Sequence, residues 1–390
     1  MNTTIRLALL GAALTGAPAW GQAPPAVQPF AAAADTRQLA DDEKRVWSEA
    51  GDYEKALRLR GELYGDAALD AYLQGMVDRL FPEFAGTLRI RLARSAQLNA
   101  FALPNGGLYL NLGLLARMEN EAQLAAVLAH EGSHFVHRHG FQQRQNVKSS
   151  SALALVLGVA GGGLGSLVGN FAALASIYGY SKDLEREADR MGAARLARAG
   201  YALKEGVRVF EILDAEAKVL EVKEPFMFSS HPRLQERIDS FNELARETAD
   251  GKRDSEEFQA RVLPVRLAWM EAELALAQHK SLIHVLSQEG AAARYTPRAG
   301  YYLGEAYLLR GGEGDGERAE TALRQAIEAL PEFAPSYRAL GIALMKRQQY
   351  GEARRLFEQY LALAPTAADA AYVKDYLQQV TDLENQKAAQ

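Results

Sequence analysis

The chain has 390 residues, a hydrophobic fraction of 48%, a charged fraction of 24% and a formal net charge of −5, which is ordinary for a globular protein of about two domains. This balance excludes the strongly basic surface that nucleic-acid-binding proteins use. Cysteine is absent, which excludes a disulfide framework, a thiolate nucleophile, cysteine-ligated zinc and a lipid anchor attached at a cysteine.

The N-terminus has the features of a cleaved secretory signal peptide, which we assign to residues 1–21. Arg6 supplies the positive charge, Leu7–Leu14 is a short apolar core, and Ala17–Ala19 is a small-residue cleavage site with a rival two residues later. The apolar run is too short to span a bilayer. We therefore expect the mature chain to leave the cytoplasm, with residues 22–36 as a flexible linker.

The next segment changes from helical to strand periodicity. Residues 36–81 carry apolar side chains at helical spacing, which predicts helix with one buried face. Alternation then predicts three strands, over Leu88–Leu92, Leu98–Leu103 and Leu108–Leu112. We expect the third strand to run directly into the helix that follows. A sheet edge at this point could hold an extended peptide as an added strand, unless the strand is internal.

The most informative stretch is His130-Glu131-Gly132-Ser133-His134, an H-E-x-x-H motif within an alanine- and leucine-rich helical segment. Asn120 and Gln123 predict a capping box at the start of this helix. Residues four apart share a helix face, so His130 and His134 can direct both imidazoles at one zinc ion. Glu131 projects about 100° away, where it can take a proton from the attacking water.

A 28-residue run without charge occupies residues 151–178. Its length would suit a transmembrane helix, but its six glycines disfavour one. A single span would also leave the motif and the acidic segment described next on opposite sides of a membrane. We expect two short buried or lid-like helices, with peripheral membrane contact as the alternative.

An acidic helix follows the apolar run, with Ser181 as its predicted cap. Glu185 and Asp189 are four residues apart and share a face. Glu185 can reach zinc as a third ligand, and Asp189 can hydrogen-bond the far nitrogen of a ligating histidine. Glu187 points about 200° away from Glu185, and it stays open as the alternative third ligand.

His-Glu-Gly-Ser-His, the apolar run and Ser-Lys-Asp-Leu-Glu-Arg-Glu-Ala-Asp together resemble the gluzincin peptidases related to HtpX and the CAAX prenyl proteases. The resemblance implies that one zinc ion per chain is held by His130, His134 and Glu185, with Asp189 as the trailing acid. His137 and His139 follow the motif and are not assigned to this site.

The segment Ser229-Ser-His231-Pro-Arg-Leu-Gln-Glu-Arg237 resembles the His-Pro segment of the same family. The resemblance implies that His231 binds the substrate oxyanion or occupies a fourth metal position in a latent state. It also implies that Arg237 stabilises developing negative charge. The alternative is that His231 is only a histidine at the start of a helix and that Arg237 is an ordinary exposed arginine.

The C-terminal part is helical and repetitive. Leu340-Gly341 and the residues after it match the spacing of a tetratricopeptide repeat, and Leu303-Gly304 begins a similar pattern 37 residues earlier. Stacked helical pairs of this kind form a concave surface that suits a peptide or partner protein. A plain helical bundle is the alternative.

The predicted fold class is α+β and mostly helical. We assign residues 1–21 to the signal peptide, 22–36 to a linker, 37–250 to a zinc metallopeptidase domain with a small sheet, and 251–390 to an all-α tetratricopeptide repeat domain. This order resembles periplasmic members of the family that support outer-membrane protein assembly. The resemblance implies a periplasmic endopeptidase acting on misfolded or misassembled outer-membrane proteins, with repeats docking to the β-barrel assembly machinery.

Two other functions remain open. The protein could act as a chaperone or adaptor with a latent zinc site, in which case the repeats would bind partners. It could also be a structural repeat scaffold with an idle site, which predicts that the purified chain holds no zinc.

Overall fold

The computed structural model describes residues 27–31, 39–146, 180–221, 234–246 and 250–388. The predicted signal peptide, the apolar run over 151–178 and His231 lie outside these residues, as does most of the predicted linker. Among the helices that are described, none is both long and apolar enough to cross a bilayer.

The segment predicted as continuous helix over 36–81 is divided. Helix α1 spans Asp41–Leu59, strand β1 spans Leu63–Tyr64 and helix α2 spans Ala67–Leu80. The division occurs because Gly61 adopts a φ of 68°, which ends the first helix, and the Asp66 side chain accepts hydrogen bonds from two backbone amides at the start of the second.

A four-stranded sheet with the order β1-β2-β4-β3 follows. Strand β2 spans Arg89–Ala93, β3 spans Ala100–Ala102 and β4 spans Gly107–Asn111, close to the three predicted strands. Strand β2 is parallel to β4, and β3 pairs antiparallel with β4. The third predicted strand is therefore internal, and the second predicted strand, β3, is one of the two edge strands, with β1 at the other edge.

The third strand does not run directly into the motif helix, contrary to the sequence prediction. A short helix α3 spans Leu112–Arg117 before helix α4 spans Glu121–Val136. Asn120 separates the two, because its side chain accepts a hydrogen bond from the Gln123 amide at 3.0 Å. In the predicted capping box, the Gln123 side chain would accept a hydrogen bond from the Asn120 amide. In the structure it accepts from the Glu119 amide instead, at 2.8 Å.

Helix α4 is the centre of the N-terminal part, and all of its residues are buried. Strand β3 and α2 pack against it, as do two later helices, α6 over Lys182–Arg198 and α7 over Lys204–Leu220. Helix α5 spans His139–Asn146 and α8 spans Leu234–Arg246, the latter packed against α6 and α7. Ser181 caps α6 by accepting from the Leu184 amide, as predicted.

The C-terminal part is all helical, as predicted. Its helices are α9 over Ser255–Ala275, α10 over His279–Leu286, α11 over Ala291–Arg294, α12 over Ala299–Arg310, α13 over Asp315–Ala329, α14 over Ala334–Lys346, α15 over Tyr350–Leu363 and α16 over Ala370–Ala388. The pairs α12–α13 and α14–α15 form two successive hairpins, and α16 packs on α15. Their identity as tetratricopeptide repeats stays a prediction.

The two parts share a buried junction. Phe258, Val262 and Val265 of α9 belong to the same hydrophobic core as α2 and α4. Beside them, Arg117 of α3 donates through Nη2 to Ser281 Oγ of α10 at 2.7 Å and to Glu273 Oε1 of α9 at 3.4 Å, and all three side chains are buried. The domain boundary after residue 250 stays a prediction, and the first helix beyond it contributes to the core of the preceding region.

Candidate metal centre and active site

The motif histidines face one point, as their spacing requires. Nε2 of His130 lies 3.0 Å from Nε2 of His134. Glu185 of α6 brings Oε2 to 3.5 Å from His130 Nε2 and Oε1 to 3.4 Å from His134 Nε2. A tetrahedral zinc with bonds of about 2.0–2.2 Å separates its ligands by about 3.3–3.6 Å. The three buried donors therefore fit a zinc ion by type and by spacing.

Close packing of α6 on α4 sets this spacing. A Cβ added at Gly192 would lie 3.1 Å from the backbone nitrogen of His130 and 3.2 Å from the Ala129 carbonyl oxygen. A larger residue would push the two helices apart. Gly192 lies about two turns after Glu185, so it holds α6 close enough for that carboxylate to reach the histidines.

Asp189 lies behind His130, on the side away from the histidine pair. Its Oδ1 is 2.9 Å from His130 Nδ1. Burial acts to raise the pKa of Asp189, but Arg237 and His130 outweigh that effect and hold it well below its usual range. Asp189 is therefore ionised and positioned to accept the Nδ1 proton, which leaves the Nε2 lone pair of His130 facing the metal position.

Arg237 of α8 is buried and paired with the same carboxylate. Its Nε donates to Asp189 Oδ2 at 2.9 Å and its Nη2 to Oδ1 at 2.7 Å. Its Nη1 lies 3.7 Å from Glu185 Oε2, and the guanidinium covers the Phe210 ring. Burial acts to lower the pKa of Arg237, but Asp189, Glu185 and Glu131 raise it, so the cation persists.

Glu131 is buried next to His130 in the sequence, with 2% of its surface exposed. It lies on helix α4 between the two motif histidines, and its charge acts to raise the pKa of Arg237. The structure thus gathers six of the seven predicted site residues: His130, Glu131, His134, Glu185, Asp189 and Arg237. His231 is the exception, because it lies outside the described residues.

The structure separates the two candidate third ligands. Glu187 does not face the motif histidines. Its Oε1 lies 2.9 Å from His137 Nδ1, and its Oε2 lies 3.4 Å from His139 Nε2. Glu185 is the carboxylate that reaches His130 and His134, and we retain it as the proposed ligand.

Sequence reasoning missed two neighbours of His134. His139 Nδ1 lies 2.9 Å from His134 Nδ1, and the Tyr180 ring stacks on His134 with centroids 3.9 Å apart. The five-residue separation of His139 from His134 does not match a helix face. It becomes a contact because α4 ends at Val136 and Arg138 adopts a left-handed φ of 57°.

Comparison with known proteins agrees with this geometry. Residues 66–245 match the model of peptidase family M48. The chain is 30% identical over 255 residues to a Vibrio cholerae protein named as a putative beta-barrel assembly-enhancing protease, covering 61% of this chain and 52% of that protein. Against the Escherichia coli beta-barrel assembly-enhancing protease, identity is 28% over 204 residues, with 49% and 42% covered.

A mitochondrial relative matches as well. The chain is 28% identical over 227 residues to the mitochondrial metalloendopeptidase OMA1 of Schizosaccharomyces pombe, covering 55% of this chain and 64% of that protein. The chain spans about half the length of the first two relatives. Residues 66–245, which contain the His-His-Glu cluster that fits zinc, are similar to peptidase family M48.

Proposed function

We propose that this chain is a zinc-dependent endopeptidase whose metal is held by His130, His134 and Glu185. The observation that carries the proposal is the convergence of three buried side chains, whose nearest donor atoms lie 3.0–3.5 Å apart in each pair. The neighbouring Glu131 is the general base. When bound, zinc supplies Lewis-acid polarisation of the scissile carbonyl and acidifies the attacking water.

The side chains around the metal divide the remaining work. Glu131 takes the proton of the attacking water and passes it to the leaving amine. Asp189 holds His130 in the tautomer that presents Nε2 to the metal. Arg237 supplies a fixed positive charge near the developing oxyanion. From the family resemblance, His231 binds that oxyanion or closes the fourth metal position in a latent state.

An extended polypeptide is the proposed substrate. Strand β3 is the edge strand of the sheet that packs against the motif helix. Ala102 and Leu103, at the end of β3, line a small cavity together with His134 and Tyr180. A substrate strand added along β3 would satisfy its own backbone hydrogen bonds and pass close to the metal. Only unfolded segments can do this.

The cellular setting follows from the relatives and the predicted signal peptide. Two of the relatives are named for enhancing β-barrel assembly. We infer that this protein acts in the periplasm on misfolded or misassembled outer-membrane proteins. The helical hairpins after residue 298, as tetratricopeptide repeats, would dock to the assembly machinery.

Deep burial of the site favours a second candidate function. His134 and Glu185 are 1% and 2% exposed, so the described residues leave little room for a substrate at the metal. A chaperone or adaptor with a latent zinc site would have this property, and His231 as fourth ligand would maintain it.

The substitution Glu131→Gln separates these functions. We expect the variant to keep one zinc per chain at the peptidase site and to cleave casein about 10²- to 10⁴-fold more slowly than the wild type. Glu211→Gln, at an exposed position of α7, is the matched control and should cleave normally. Wild-type rates in Glu131→Gln would reject the mechanism. Full rescue of outer-membrane assembly by that variant in cells would favour the chaperone.

A further inference from the structure

A second histidine and carboxylate cluster lies beside the first. It consists of His137, His139 and Glu187, which we call the outer cluster. Each residue offers one ligand atom, and these atoms lie within 4.8 Å of one another. Glu187 places one carboxylate oxygen 2.9 Å from His137 Nδ1 and the other 3.4 Å from His139 Nε2. The 3.4 Å separation matches that between ligands of a tetrahedral zinc, and the 2.9 Å separation is shorter.

The two histidine nitrogens are buried and point at the carboxylate without forming hydrogen bonds to it. His137 is 7% exposed and His139 is fully buried. Within the described part of the chain, neither His137 Nδ1 nor His139 Nε2 has a hydrogen-bond partner of proper geometry. Buried imidazole nitrogens beside a carboxylate are satisfied either by well-formed hydrogen bonds to it or by a cation that they share with it. The Glu187 side chain is 35% exposed, which gives an ion a route from solvent.

Chain geometry explains how the outer cluster forms. Helix α4 ends at Val136, and the left-handed Arg138 turns the chain so that the histidines on either side of it approach each other. Glu185 and Glu187 are two residues apart on α6, so their side chains leave the helix in nearly opposite directions. One carboxylate therefore reaches each histidine pair.

A shared contact links the two sites. His139 Nδ1 lies 2.9 Å from His134 Nδ1. His134 would bind the first ion through Nε2, and His139 would bind the second through its own Nε2, each on the far side of its ring from this contact. The two proposed metal positions are therefore separated only by two imidazole rings in contact.

We propose that His137, His139 and Glu187 bind a second divalent cation of the zinc class, and that its occupancy opposes occupancy of the first site. Two imidazole nitrogens and one carboxylate are ligands that zinc, cobalt and nickel accept. Two divalent ions held on adjacent histidines repel each other, so binding at one site weakens binding at the other. The opposition rests on the proposed role of His134 as a ligand.

Zinc titration of the purified full chain, with chelator competition, tests the proposal. We expect two equivalents in the wild type, one in His137→Ala and one in His130→Ala. His137 is chosen because it belongs to the outer cluster, whereas His139 also contacts His134. Binding at the outer cluster should be about tenfold or more tighter in His130→Ala than in the zinc-loaded wild type, because the first ion is gone. Glu187→Gln, at a partly exposed position, should also reduce the stoichiometry to one.

The variants separate this proposal from the proposed peptidase site. One equivalent in the wild type and one of equal affinity in His137→Ala would overturn the outer site. One equivalent in the wild type, with weaker binding in Glu187→Gln, would also overturn it and would indicate a hydrogen-bond chain from Glu187 through His139 to His134. No binding in His137→Ala, with binding kept in His130→Ala, would instead reject the peptidase site and leave the outer site standing. Circular dichroism spectra must match among the variants compared.

Discussion

Asp189 Oδ1 lies 2.9 Å from Nδ1 of His130, the ring nitrogen that faces away from the proposed metal position. The same carboxylate receives two hydrogen bonds from Arg237. The orientation of His130 therefore depends on the charged Asp189 carboxylate, which Arg237 in turn holds in place. The proposed metal site is therefore built from a supporting layer as well as from its ligands.

Removing the charge of Asp189 should weaken zinc binding. In Asp189→Asn, we expect the zinc dissociation constant to rise about 10- to 100-fold, because the His130 tautomer is no longer fixed by a carboxylate. Chelator competition measures this change. Asp183→Asn, on an exposed side chain of the same helix, is the control and should bind zinc normally. Equal affinities in the two variants would contradict the supporting role.

Gly192 should be intolerant of even one methyl group. In Gly192→Ala the added carbon meets the α4 backbone at 3.1–3.2 Å, and we expect a loss of about 1–3 kcal/mol in the free energy of unfolding. Urea denaturation measures it. In the control Gly75→Ala, the nearest atom is 3.8 Å away, so helix propensity should stabilise the chain by about 0.5–1 kcal/mol. A gain in the free energy of unfolding in Gly192→Ala as well as in Gly75→Ala would contradict the close packing of α6 on α4.

The buried junction should make stability depend on pH through Glu273. Burial raises the pKa of Glu273, and Glu216 adds to this, against the lowering effects of Arg117 and Trp269. A carboxyl group with a raised folded-state pKa loses stability as pH rises above its unfolded value of about 4.3. We therefore expect Glu273→Gln to gain in unfolding free energy relative to the wild type between about pH 4.3 and neutrality.

Thermal unfolding at several pH values checks this expectation. The side-chain amide oxygen that Glu273→Gln introduces can still accept the Trp269 indole hydrogen, which now bonds to Glu273 Oε1 at 2.8 Å. Glu328→Gln, on an exposed position of α13, serves as the control. A difference between Glu273→Gln and the wild type that shrinks with rising pH would contradict the sign.

Gly341 tests the packing of the helical hairpins. A Cβ there would lie 2.6 Å from Cε1 of the buried Phe357, as one at Gly304 would lie 2.5 Å from Cγ of Leu323. We expect Gly341→Ala to destabilise the chain by about 1–3 kcal/mol and to leave zinc affinity unchanged. Gly316→Ala, where the nearest atom is 3.8 Å away, is the matched control. Urea denaturation measures the change in stability, and zinc titration measures the affinity. A lower zinc affinity in Gly341→Ala would contradict this expectation.

Local patterns predicted the elements that carry the site. The four-residue spacing of His130 and His134 requires a shared helix face, and the caps at Asn120 and Ser181 follow from side-chain chemistry. The strands followed from their alternation. Such signals depend only on neighbours in the chain, which is why they can be found without a structure.

Contacts made by chain reversals could not be predicted in the same way. His139 meets His134 only because Arg138 turns the backbone, and Glu187 meets His137 only through the packing of α6 on α4. Spacing alone left Glu185 and Glu187 as alternatives, because both follow the apolar run closely. The short helix α3 was missed because its residues continue the apolar character of β4.

The most direct test is an anomalous difference map at the zinc absorption edge, from crystals of the purified chain with one equivalent of zinc. We expect a single strong peak about 2 Å from Nε2 of His130, Nε2 of His134 and a carboxylate oxygen of Glu185. A peak beyond bonding distance of any of these three, or a chain that elemental analysis finds free of zinc, would contradict it.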